Sequence, residues 1–202
     1  MNIFQILAIC GMLAPIIYTA NWIIIGTLQS GYSHIKTDIS ALFAVGAPNK
    51  RVFQSINIVS SALMFVFYIG LHEGINDVGG SIIGPIFFLI SGVLGILVAC
   101  FFPLDEGGEL ITLRGKMHLT LIVISGILTI VGMVALWFRL ESVVAWSAFA
   151  TFSLISAIVS FVLVIIAGIF SKGNYRGLVE RIMVTPYQIY PFVLGLLIFL
   201  NN

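Results

Sequence analysis

Five polar residues able to do chemistry stand near the ends of apolar stretches: Asn57, Asp105, His118, Glu180 and Arg181. Asp105 follows one apolar run in Phe102-Pro103-Leu104-Asp105, and His118 opens the next in Arg114-Gly115-Lys116-Met117-His118. A carboxylate and an imidazole at one boundary can form an acid–base pair or half of a metal site. The competing reading is a solvated acidic turn beside a boundary histidine. Glu180-Arg181 opens the last run, where the arginine can neutralise Asp105 or hold a phosphate. Asn57 lies about two turns inside the second run, so it would floor a pocket with Asp105 and His118 at its rim. If these groups instead point to separate partners, they are a packing asparagine, a loop carboxylate and a boundary histidine.

A second group lies in the segment from Gly31 to Arg51, which holds His34, Asp38, Ser40 and Pro48. Thr37, Asp38 or Ser40 can N-cap a short helix through Ala44, with Gly46 as its stop. Pro48 suits the first turn of the following helix, because its missing N–H would have no partner there. The apolar run Ile39-Ser-Ala-Leu-Phe-Ala-Val45 predicts that the segment lies on the membrane or tucks between helices. It is a candidate gate, or an interfacial helix that only connects two spans.

No metal or cofactor is expected. The three histidines are His34, His72 and His118. The topology below puts His72 on the face opposite the other two, about 30 Å away, so a three-histidine zinc centre or a bis-histidine haem is disfavoured. The alternative is a mixed site of His34, His118 and a carboxylate. Cys10 and Cys100 sit in apolar runs with no metal-ligand spacing and read as small hydrophobes.

The elements that must position these residues follow from composition. Hydrophobic residues make up 60% of the 202-residue chain and charged residues 8%, against about 25% charged in soluble domains. Lipid must therefore solvate much of the surface. Apolar runs near 4–28, 52–71, 82–103, 117–138, 143–170 and 184–200 are each long enough to span a bilayer. The expectation is an all-α, six-helix transmembrane bundle forming a single domain over residues 1–202. The first run lacks a basic n-region and reads as a mature helix, not a signal peptide. Gln54, Asn57, Ser61 and Tyr68 share one face of the second helix, and His118, Ser125, Thr129 and Gly132 share one face of the fourth with apolar Ile122 among them. Such stripes turn inward, either to pack helices or to line a cavity.

Eight of the nine basic residues fall in the first, third and fifth loops, and only Arg139 falls on the other side. Positive-inside bias puts those loops in the cytoplasm and both termini outside, in an inner or plasma membrane. The loop around Asp77 then faces outward. No ionisable residue sits at the middle of a span, which argues against proton-coupled transport. A net charge of +1 suggests no nucleic-acid partner.

The order Asp38-Ile-Ser40, Gly46-Ala-Pro-Asn-Lys50, Asn57, Phe102-Pro-Leu-Asp105, His118 and Gly177-Leu-Val-Glu-Arg181 resembles the bacterial membrane family termed domain of unknown function 998. A fainter similarity, through a Ser…Pro…Asn arrangement leading into the second span, is to the eukaryotic FRAG/DRAM/Sfk membrane proteins, which are associated with lipid handling and membrane trafficking. The first resemblance implies a six-helix bundle and brings no activity, substrate or catalytic residue. The functional expectation is a non-enzymatic protein, lipid-interacting or scaffold-like, with membrane lipids as partners and a polar pocket in its cytoplasmic half. The alternative is a membrane-embedded hydrolase or transferase acting on a lipid or lipid-linked substrate.

Overall fold

A computed structural model describes residues 1–75 and 80–202; Asp77 lies outside the described residues. Among them, six helices are long and apolar enough to cross a membrane. They are α1 (Ile3–Leu28), α2 (Lys50–Ile69), α3 (Ile83–Phe101), α4 (Leu113–Leu140), α5 (Ser147–Phe170) and α6 (Arg176–Asn201). The chain is a multi-pass membrane protein. Each long helix packs on the next, and α6 returns to α1, which closes a six-helix ring. The loops between α1 and α2, α3 and α4, and α5 and α6 share one end, called here the basic end.

The helices begin where local chemistry supplies caps. Asn2 and Gln5 form a reciprocal capping box on α1. Thr112 caps α4 by accepting from the Gly115 N–H. Two helices start earlier than the hydropathy pattern predicts. α4 begins at Leu113 rather than 117, because Thr112 and Asp105 organise its first turn. α6 begins at Arg176 rather than 184, because its charged first turns are covered by the first loop instead of water or lipid. It also runs on as helix through Pro186 and Pro191.

Aromatic residues fill the ring away from the basic end. Tyr190 of α6 stacks on Phe88 of α3 with centroids 5.6 Å apart and on Phe152 of α5 at 5.9 Å. Its hydroxyl meets the Ser153 Oγ at 2.6 Å, so the ring is apolar at its faces and satisfied at its tip. The polar face of α4 serves packing: Ser91 of α3 lies 2.8 Å from Ser125 and 2.9 Å from Thr129. Ile122 departs from that stripe and is 46% exposed on the outside. On α2, Gln54 donates to the Ala99 and Cys100 carbonyls, and buried Ser60, beside Ser61 of the expected stripe, donates to Ala14.

Candidate functional site

The first loop closes the basic end of the ring. Gly31, at φ +77°, turns the chain after α1. Residues Ile39–Phe43 then form a 3₁₀ turn whose Ile39, Leu42 and Phe43 are buried against Ile25, Phe53, Val98 and Leu121. The segment therefore tucks between helices instead of lying on the membrane surface. Gly46, at φ +84°, follows it as a stop. Pro48 lies in the turn just before α2 rather than inside its first turn.

The cap of this short turn comes from far away in sequence. Asp38 occupies the N-cap position without a side-chain cap bond. Instead, the Glu180 carboxylate on α6 accepts the Ile39 N–H, and also the Ser40 hydroxyl at 3.1 Å. The loop returns the favour: the Ile35 carbonyl accepts the Leu178 N–H at 3.0 Å, satisfying a donor in the first turn of α6. Close approach is possible because a Cβ at Gly177 would collide with the Thr37 carbonyl.

Arg181 holds the same junction. Its guanidinium donates to the Thr37 carbonyl at 3.0 Å, the Gly177 carbonyl at 2.7 Å and the Tyr32 hydroxyl at 2.6 Å. It also lies 4.9 Å from the Trp22 ring centroid and 5.6 Å from that of Tyr32, a cation–π arrangement. Tyr32 passes the bond on to the Asp38 carbonyl at 2.9 Å. Burial, opposed by Arg181, pushes the Tyr32 phenol up to about 12, so it is a neutral donor at physiological pH. Burial also raises the Asp38 carboxyl above its ordinary value, although Arg176 stands 3.5 Å away. His34 sits edge-on to Trp22 and Tyr32, with Nε2 3.3 Å from the Thr27 hydroxyl. Burial, aided by the Arg181 charge, holds its imidazole below the ordinary histidine value.

Asp105 and His118 have other partners. Asp105 accepts the Ile111 and Thr112 N–H groups at 2.8 and 2.7 Å, and the Thr112 hydroxyl at 2.6 Å. These bonds, led by the Thr112 hydroxyl, hold its carboxyl below the usual aspartate value. His118 Nδ1 meets the Phe102 carbonyl at 2.6 Å, and its ring lies 5.5 Å from Phe43. Among the described residues, no hydrogen bond or ion pair joins Asp105 to His118, and Arg181 donates through Nη1 and Nη2 to the first loop and the Gly177 carbonyl rather than to Asp105. Asn57 is half-buried on α2 and makes no hydrogen bond to the described residues.

The structure thus gathers Asp38, Ser40, Glu180 and Arg181 into one network, with His34 beside it. Among the described residues, no three His, Cys, Asp or Glu side chains converge as a metal site would require. Several members of the network were invisible in the sequence. Trp22 and Tyr32 carry no motif, and Gly177, although it opens the Gly177-Leu-Val-Glu-Arg181 motif, gives no sign that it meets Thr37 far away in sequence. At the opposite end, buried Arg139 donates to the His72 Nδ1, the His72 carbonyl and the Ser81 carbonyl at 3.0–3.1 Å. Charge counting alone gave that arginine only a topological role.

Ring closure, apolar outer faces and an internally bonded loop plug define a class: a six-helix integral membrane bundle. The chain belongs to the family described as Protein of unknown function (DUF998), which it matches over residues 12–197. No curated protein and no solved structure matches it.

Proposed function

We propose that this chain is a non-enzymatic membrane protein that acts through its contacts with lipid, with its basic loops in the cytoplasm and both termini outside. One observation carries the reading: the ionisable groups offered for chemistry at the basic end are engaged within the chain. Asp105 is a loop cap, His118 meets a carbonyl, and Glu180 and Arg181 fasten the first loop. A catalytic acid or base must reach the substrate proton, and Asp105, Glu180 and Arg181 are turned to internal partners, while His118 is held through its Nδ1 with no acidic partner beside it. The outer faces of the helices, in contrast, carry large apolar side chains such as Ile16, Ile90, Ile127 and Phe161, which only lipid can solvate.

Orientation rests on eight of nine basic residues lying in loops at one end. In intact cells and a background lacking Cys10 and Cys100, Lys50→Cys and Gly173→Cys should resist an impermeant thiol reagent, while Glu141→Cys reacts. The reverse labelling pattern overturns the orientation. Native mass spectrometry of the purified chain tests the functional reading: intact lipid should stay bound after gentle removal of detergent. A chain that folds and flies free of lipid overturns it.

A further inference from the structure

The seam where α6 returns to α1 differs from a plain lipid-facing surface. Pro15, Ile16 and Ile23 of α1 face Gln188, Ile189 and Phe192 of α6 across a shallow groove of about 430 Å³. Its walls are almost wholly apolar, and it opens sideways. At 1.5 Å per residue, its α1 wall lies roughly 7–20 Å from the basic end of that helix, and its α6 wall roughly 18–24 Å from the first residue of α6. One leaflet of hydrocarbon is about 15 Å thick. The groove therefore lies in the deeper part of the basic-side leaflet, toward the bilayer centre, at the depth of the distal half of an acyl chain.

The end of the seam carries charge. Residues 32–38 cross from the end of α1 to the start of α6, tied down by the Leu178 N–H on the Ile35 carbonyl. Ile35 is 48% exposed. Next to it, Lys36 is exposed, and its carbonyl accepts the Arg176 Nε at 3.1 Å. Arg176 thus meets the backbone of the residue that carries the exposed Lys36 cation, with Asp38 as the acid beside Arg176. An apolar trough under a cationic rim is complementary to an amphiphile with a negative head.

We infer that the α1–α6 seam is a binding site for an anionic glycerophospholipid, with an acyl chain in the groove and the phosphate against Lys36 and Arg176. This rests on the lipid-contact reading above and names the lipid class and the place. Arg176 positions the loop through Lys36 and Asp38 as well as facing the head group, so Lys36 is the cleaner probe of charge.

The test is a native mass spectrometry titration of the full chain in detergent with phosphatidylglycerol or phosphatidylcholine of matched acyl chains. The wild type should prefer phosphatidylglycerol. Lys36→Gln, an exposed change that leaves the fold intact, should reduce that preference about fivefold, the effect of one cation near an anionic surface. Ala20 also lines the groove, and Ala20→Phe, which fills it, should weaken the binding of both lipids. Lipid that stays bound with no head-group preference, or that ignores both substitutions, overturns the seam site while lipid contact in general stands. A dimer that Ala20→Phe dissolves, with lipid binding unchanged, overturns it in favour of a second copy of the chain. No bound lipid at all overturns both readings.

Discussion

Arg181 illustrates how a charge becomes tolerable inside an apolar bundle. Two carbonyls, a phenol and an indole face surround one guanidinium. Removing a partner from a buried charge costs more than the pair contributes, so this residue is a fastener. Asp105 works the same way on a smaller scale, holding the loop before α4 through three donors. Because folding lowers its pKa, its contribution is present above the ordinary aspartate value and is lost as pH falls through the folded value. Corrected for intrinsic rates, amide exchange at Ile111 and Thr112 should therefore rise in acid. Asp105→Asn should exchange fast already at neutral pH and respond little to acid. Equal exchange in both proteins would mean the carboxylate does not hold the loop. Asp105, Glu180 and Arg181 stood out in the sequence as polar residues at apolar boundaries. Most of their partners did not: Ile39 and Tyr32 are more than a hundred residues from α6, and the backbone N–H and C=O groups that meet Asp105 and Arg181 leave no mark on composition.

At the scale of elements, the first loop and α6 cap each other. Gly177 makes the contact possible, and a methyl group there meets backbone rather than a side chain that can swing aside. Gly177→Ala should cost about 1–3 kcal/mol, as overpacking does, and should expose residues 32–40 to hydrogen exchange. Gly168→Ala on α5, where a Cβ meets open space, should leave the melting temperature unchanged or higher. If the two variants melt alike, the junction is not a tight fit. The six spans were legible because length and hydropathy specify them directly. The early start of α6 was not, since a charged first turn reads as loop until a neighbouring segment is known to cover it. The apolar run Ile39–Val45 did signal burial, but whether it lay on the membrane or between helices depended on Phe53, Val98 and Leu121, all from other helices.

For the whole molecule, ring closure is the property that sequence patterns carry least. Hydropathy orders the spans but does not say that α6 packs on α1. That contact creates both the loop junction at the basic end and the lipid-facing seam above it. At the other end, Asn2 and Gln5 donate to the Asn202 and Phe199 carbonyls, tying the two helices again. The function proposed above is that this closed bundle, with Asp105, Glu180 and Arg181 turned to internal partners, holds lipid unchanged rather than transforming it. The most direct measurement of that claim is the mass of each lipid, free and protein-bound, before and after incubating the purified chain with an isotope-labelled membrane extract. The account predicts intact lipid on the protein and an unaltered extract. A new lipid species that appears with the wild type and disappears with Asp105→Asn or His118→Ala would contradict it.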